Sequence, residues 1–162
     1  MQIPSSTRPR LPKEYGILEE KKDSGLLPWS RVDDSVGSAR NYWIHTTRSD
    51  GRPHVEPVWG IWVNGHLYFS TSPKSVSGLN LSARNSIAVH LESGDDVVIL
   101  KGKAEPVTDR ELLSRLDEAY FAKYAYHLPA EDGSVYSLGH RVVFSWVEQD
   151  FVGSATKYVF QT

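Results

Sequence analysis

Two short stretches concentrate the residues that could do chemistry. In Ser70-Thr71-Ser72-Pro73-Lys74-Ser75, four hydroxyls and one ammonium follow a strand-like run and precede a helix-like one. A helix start offers backbone N–H groups and a positive dipole end, and Lys74 adds a point charge. Together these could hold one phosphate. The same residues also make an ordinary capped turn, because Ser and Thr are common there. The second stretch is Pro57-Val58-Trp59-Gly60-Ile61-Trp62. Two Trp residues three apart on a strand point to opposite faces, so one can enter the core while the other lines a pocket or a subunit interface. Gly60 leaves the backbone bare, and a flat ring could lie close to it. Ordinary sheet packing with a bulge is the plainer account of the same pattern.

Other chemistries find less support. His54 and Glu56 share a strand face, but no third ligand is evident, so no metal centre is expected. No G-x-S-x-G elbow is present, and no local Ser-His-Asp set can be assembled. Asp33-Asp34 and Asp95-Asp96 read as solvated pairs. With no cysteine, the chain has no disulfide, thiolate site or cysteine nucleophile, which fits a reducing cytoplasm. A net charge of −2 argues against a nucleic-acid binder, which needs clustered Lys and Arg. No apolar run approaches the roughly 18 residues of a membrane span, and the polar, Pro-punctuated start lacks a signal-peptide core. A cytoplasmic protein is expected, with no membrane partner.

The elements that must position these residues are mostly strands. Residues 1–25 read as an extended arm with a short turn at Glu14–Glu20, and residues 26–162 as one domain. A short helix is expected between Pro28 and Ala39. Strands are expected at Asn41–Thr47, His54–Val63 and His66–Thr71, joined by Asp50-Gly51 and Asn64-Gly65 hairpin turns. A short helix over Ser75–Arg84 precedes strands Ser86–Glu92 and Asp96–Val107, with Gly102 marking a bulge or a close backbone approach. A capped helix starts at Thr108 or Asp109 and runs to about Ala125. Strands at Tyr136–Glu148 and Lys157–Phe160 end the chain. Sequential strands with one late helix exclude a doubly wound parallel sheet and predict a mainly β fold, a small antiparallel barrel with Greek-key character.

Several of these pieces, in this order, resemble the pyridoxamine 5′-phosphate oxidase-like flavin and deazaflavin reductases. They are Thr46-x-x-x-Asp50-Gly51-x-Pro53-His54, Pro57-Val58-Trp59, Leu67-Tyr68-Phe69-Ser70-Thr71, Asn80-Leu81 and Asn85. Lys101-Gly102-Lys103-Ala104-Glu105, Ala119-Tyr120, Lys123-Tyr124 and the Ser154–Phe160 tail continue the likeness. It covers about Asn41 to Phe160. It implies a six-stranded split β-barrel and a homodimer with cofactor sites at the subunit interface. The cofactor would be FMN or an 8-hydroxy-5-deazaflavin coenzyme. Pro57, Val58 and Trp59 would face its ring. Ser70, Thr71, Ser72, Lys74 and Ser75 would hold its phosphate, with Ser77 and Asn80 beside them. Lys101, Trp146, Lys157 and Tyr158 would close the pocket. The activity implied is hydride transfer to a small conjugated substrate, with the cofactor carrying the chemistry, so no catalytic residue of the chain is nominated. Pyridoxamine phosphate oxidation itself is not expected, because no Arg and Lys cluster is available for a second phosphate. One feature departs from the family. A basic residue, often Lys with Arg two places on, usually precedes Asn-Leu; here those places hold Ser77 and Leu79. The alternative is a non-enzymatic split-barrel dimer that binds haem or another ligand, or that has lost its cofactor.

Overall fold

The computed structural model describes residues 4–16, 24–129 and 132–161. Eight strands and four α-helices follow one another along the chain. They are β1 (Ser5–Thr7), α1 (Trp29–Ser38), β2 (Asn41–Thr47), β3 (Pro53–Val63), β4 (His66–Ser70) and α2 (Val76–Ala83). After these come β5 (Ser86–His90), β6 (Asp96–Pro106), α3 (Arg110–Tyr124), β7 (Val135–Val147), α4 (Phe151–Ser154) and β8 (Thr156–Val159).

The chain order of the strands is set by its turns. Asn64 and Gly65 both take positive φ, 53° and 79°, the requirement of a type I′ hairpin, and they fold β4 back on β3. Gly51, at φ 87°, turns β2 into β3. β5 then returns to the far side of β2 instead of extending from β4, which is the Greek-key step. The order β7-β4-β3-β2-β5-β6 closes through β6–β7 pairing into a six-stranded antiparallel barrel. Closure pairs each strand of the circuit on both sides along part of its length, and leaves edges open on β3 before Gly60 and on β7 between Leu138 and Val142.

The barrel is split along β7. One edge of this 13-residue strand pairs with β6 along its length. The other edge pairs first with β4, over Val135–Leu138, and then with β8, over Val142–Ser145. The β6–β7 register slips between Lys101 and Gly102, so Arg141 is an extra residue opposite that step. Gly102 is required there, since a Cβ would lie 2.1 Å from the Gly139 carbonyl oxygen. The bulge expected from the sequence is therefore present, and it is also a close approach.

Alternation along the strands sorts side chains between two cores. Tyr42, Ile44, Leu67, Phe69, Val89, Leu100, Leu138 and Val143 fill the barrel, and Val32 and Val36 of α1 plug one end. Outside, α3 lays Leu116, Tyr120 and Tyr124 against Ile61, Val107 and Val135. The two tryptophans divide as the strand period requires: Trp59 packs with the outer cluster and Trp62 with the inner one. Asp109 caps α3, its Oδ1 accepting from the backbone N–H groups of Glu111 (2.9 Å) and Leu112 (3.2 Å). Ala125, left-handed at φ 57°, ends it.

In the N-terminal segment, β1 pairs with β8, and Arg8 donates to the carbonyls of Ala155 (2.9 Å) and Gly153 (2.6 Å). A 3-10 turn forms at Lys13–Tyr15. The remainder of the turn expected at Glu14–Glu20, beyond Gly16, lies outside the described residues. Among the described residues, no helix is long and apolar enough to cross a membrane.

Candidate functional site

The phosphate-type loop and the Pro-Val-Trp strand meet at one place. β4 pairs with β3 only over Gly60–Val63, so the β3 segment from Pro53 to Trp59 has no strand on that side. Its other side is held by β2, with Trp43 opposite Pro57, Tyr42 opposite Val58 and Asn41 opposite Trp59. β4 ends at Ser70, next to Phe69, which faces Gly60. The Ser70–Ser75 loop thus leaves the sheet beside Trp59 and Val58, and an unpaired strand edge runs on below it. Unpaired backbone N–H and C=O groups seek partners, and the polar rim of a flat heterocycle can supply them.

Within the loop, most hydroxyls already have work. The Thr71 N–H donates to the Ser134 carbonyl (2.9 Å), which anchors the start of the loop. Ser75 caps α2, its Oγ accepting from the Gly78 N–H (3.0 Å) and lying 2.9 Å from Thr71 Oγ1. Ser72 Oγ accepts from the Lys74 N–H (3.2 Å), and the Ser72 carbonyl from the Ser75 N–H (2.9 Å). Gly78 lets the loop close over the helix, because a Cβ there would stand 2.2 Å from the Ser72 carbonyl oxygen. The capped-turn account of this sequence is therefore realised, and the loop is held by hydrogen bonds of its own and to Ser134.

Three positions on α2, Ser77, Leu79 and Asn80, differ in use. Ser77 is fully buried, and its Oγ has no hydrogen-bond partner in the protein. Asn80 is a tether: its Nδ2 donates to Thr46 Oγ1 of β2 (2.9 Å), inside the barrel end. Leu79, one of the two positions at which the resemblance implies a cation, is 60% exposed. Lys74 is the only basic residue between Ser70 and Leu79, and it is exposed.

The remaining nominated residues lie elsewhere. Lys101 stands on the outer face of β6 with its Nζ 5.1 Å from the Phe144 ring centroid of β7. Trp146 lies further along β7, edge-on to Phe151 at 5.7 Å, and Lys157 pairs with Phe144 across β7 and β8. Tyr158 is on the other side of β8. It is fully buried, donates its hydroxyl to the Leu27 carbonyl (2.7 Å), and burial pushes its pKa up to about 12. Thus Lys101, Trp146 and Lys157 share an outer face, and Tyr158 belongs to the core.

A polar latch that the sequence reading did not nominate fixes the β3 platform from behind. Tyr124 donates to the carbonyls of Arg40 (2.6 Å) or Gly60 (2.7 Å) and accepts from the Gly60 N–H (3.1 Å). Lys123 Nζ donates to the Gly60 carbonyl and to Tyr42 Oη, both at 3.0 Å. The Trp59 ring stacks on Tyr124 (4.6 Å, 6°), and the Arg40 guanidinium lies 5.6 Å from both rings. Gly60 itself faces inward: a Cβ would meet Tyr68 O at 2.8 Å and Tyr42 Cδ2 at 3.2 Å. The glycine therefore serves interior packing. The signal for Lys123 was present as its helical spacing from Leu116 and Tyr120, one apolar face on which a lysine is unexpected.

Burial, and secondarily the charge of Arg40, lowers the Lys123 pKa from 10.5 to about 8. The folded state thus releases a proton that the unfolded chain keeps between about pH 8 and 10.5. Stability must rise with pH across that window, until tyrosine ionisation near pH 10 opposes it, since buried Tyr42 holds its proton in the folded state. Urea midpoints should accordingly increase from pH 8 to pH 9.5 in the wild type and stay flat in Lys123→Met. An equal rise in both proteins would remove Lys123 as the cause.

The comparisons with known proteins agree with this architecture. A conserved hypothetical protein of Mycobacterium tuberculosis superposes with a TM-score of 0.67 at 23% identity, covering 76% of this chain and 86% of that one. A heme binding protein from Mycobacterium smegmatis gives 0.59 at 19% identity, covering 75% of this chain and 59% of that one. An F420 reductase gives 0.51 at 19% identity, covering 67% and 90%. At these identities the likeness is one of fold. No curated protein matches the sequence. The family model for pyridoxamine 5′-phosphate oxidase matches residues 31–147, which run from α1 to the end of β7 and include the whole barrel. The chain belongs to the pyridoxamine 5′-phosphate oxidase family.

Proposed function

We propose that this protein is an oxidoreductase that seats a flavin-type ring along the unpaired edge of β3 and exchanges it as a diffusible hydride carrier. The observation that carries the reading is the juxtaposition of that edge, below Gly60, with the Ser70–Ser75 loop. The residues fit a ring and a singly charged phosphate. Trp59 and Tyr124 stiffen the strand, backbone groups of Pro57–Trp59 meet the ring edge, and Lys74 supplies one cation. They offer no second cation for a phosphate dianion, because Ser77 is buried and Leu79 is apolar. A missing charge-assisted hydrogen bond costs roughly 1.5–3 kcal/mol, about one to two decades of affinity. A phosphodiester, with one negative charge, loses less than a phosphate monoester. That favours the 8-hydroxy-5-deazaflavin coenzyme over FMN, and the F420 reductase among the structural neighbours agrees with it.

When bound, the ring supplies the hydride chemistry. The chain's own part is to orient it and to exclude water. A second copy of the chain would cover the outer face that carries Lys101, Phe144, Trp146 and Lys157, completing the pocket over a small conjugated substrate. The absence of cysteine favours a cytoplasmic setting. Lys74→Ala should weaken deazaflavin binding by about tenfold or more, with no change in the urea midpoint; unchanged affinity would remove the loop from the site.

One observation favours a second reading. The hydroxyls of the loop are engaged in the α2 cap, and the usual cation positions are a buried Ser and an exposed Leu. That pattern suits a non-enzymatic dimer that takes a ligand without a phosphate, and a heme binding protein is among the neighbours. The absorbance spectrum of the purified protein with added hemin separates the two readings: a Soret band at one equivalent supports the second.

A further inference from the structure

The split in the barrel creates a recess at the opposite end of β4 from the phosphate-type loop. Between Leu138, where β4 stops pairing with β7, and Val142, where β8 begins, residues Gly139–Arg141 have no strand on that edge. The Phe160 N–H reaches across to the Arg141 carbonyl (3.0 Å). A cavity of about 330 Å³ opens here, within the range of small-molecule sites. His66, at the start of β4, lies on its rim. His66 and Ser70 are four residue steps apart on β4, so the two sites stand about 13 Å apart along it.

The floor of the cavity is His140. It is 7% exposed and ringed by Trp29 (6.1 Å), Trp62 (5.6 Å) and Phe160 (4.5 Å, edge-on). Burial, with His66 nearby, pushes its pKa down to about 4, so the imidazole is neutral in the cell. Its Nδ1 is buried and forms no hydrogen bond of good geometry, while a contact of the ring with the Leu138 backbone opposes the downward shift. A buried polar atom left unpaired is costly, and packing against three aromatic rings does not satisfy it. Trp29 and Phe160 form a corner of the wall, their rings 5.1 Å apart and inclined at 76°, so that a flat ligand can lie on Trp29 with Phe160 at its edge. Among the described residues, the mouth carries Lys103 and Arg141 against the carboxylate of Glu105. Arg141 reaches the mouth because it is the extra residue of the bulge.

We propose that this cavity is a second ligand site, for a planar aromatic anion of one or two rings. Its ring lies against Trp29 and Phe160 above His140, and its carboxylate meets Lys103 and Arg141. The bulge at Gly102 and the exchange of β4 for β8 build the site, so it is a consequence of the fold's seam and independent of the β3 platform.

A matched pair of probes tests this. 2-Naphthoate and neutral 2-naphthamide share a bicyclic ring and differ in charge. In 1H–13C spectra of the wild-type protein, 2-naphthoate should shift the His140 ring signal with a Kd of about 1 mM or better. 2-Naphthamide should bind at least about tenfold more weakly. The double variant Lys103→Ser/Arg141→Ser, altered only at exposed positions, should lose that preference, whereas Lys74→Ala should retain it. The proposal is overturned if neither probe moves His140, if the two probes bind equally, or if Lys74→Ala abolishes binding. The Lys74 arm separates failure here from failure of the cofactor reading.

Discussion

Leu79→Arg should tighten binding of the flavin-type cofactor by about one decade, and tighten FMN more than the deazaflavin coenzyme. Leu79 lies on the first turn of α2, its N–H donating to the Ser75 carbonyl (3.0 Å), and its side chain is 60% exposed. Nothing in the core depends on it, so stability should change by less than about 0.5 kcal/mol. A guanidinium there offers forked donors to phosphate oxygens beside Lys74. FMN gains more because its phosphate monoester carries more charge. The neighbouring change, Ser77→Lys, would not serve: Ser77 is fully buried, and a lysine there would bury an ammonium in the barrel end. Ring-fluorescence titrations of both cofactors, at two salt concentrations, measure the gain and its salt dependence. If Leu79→Arg alters neither affinity, the phosphate does not sit at the α2 start.

The second large effect concerns the seam. Gly102→Ala should destabilise the protein by about 3 kcal/mol or more, measured by urea unfolding. The added Cβ would lie 2.1 Å from Gly139 O and 2.7 Å from His140 Cα, both backbone atoms held by eleven residue pairs between β6 and β7. No rotamer relieves a backbone contact, so the two strands must part at the bulge. Gly139→Ala is the control, because its Cβ would meet nothing closer than Lys103 O at 3.6 Å. It should cost less than about 1 kcal/mol. Comparable losses in the two variants would mean that glycine's conformational freedom, and not the close approach, governs this seam.

The barrel was legible because its turns and alternation are local signals. Asn64-Gly65 and Asp50-Gly51 set two hairpins, and β2 begins and ends where the β-branched and aromatic run does. Gly102 was legible as an irregularity, and the Trp59–Trp62 spacing as a division between faces. What the sequence did not reveal depended on pairing between distant segments. β1 is three polar residues whose order comes from β8, 150 or more positions away. Ser75 reads from the sequence either as a phosphate ligand or as part of a capped turn, and its Oγ caps α2, since the same hydroxyl can serve either purpose. Tyr158 and Lys157 were grouped for one pocket, although adjacent strand residues point to opposite faces. Lys157 shares the outer face with Phe144, and Tyr158 is inside, bonded to Leu27. Lys123 was missed as a site residue because a helix reading looks for apolar repeats. The carbonyl it serves, Gly60, is 63 positions away.

The central claim is that the edge of β3 and the Ser70–Ser75 loop together bind a flavin-type ring. Titrating the apo protein with the oxidised deazaflavin coenzyme and with FMN, following ring fluorescence, tests it most directly. The account predicts saturable binding of the deazaflavin at micromolar concentration or below, FMN weaker, and both reduced by Lys74→Ala. Absence of binding by either at about 100 μM would contradict it and leave the non-enzymatic dimer as the reading to pursue.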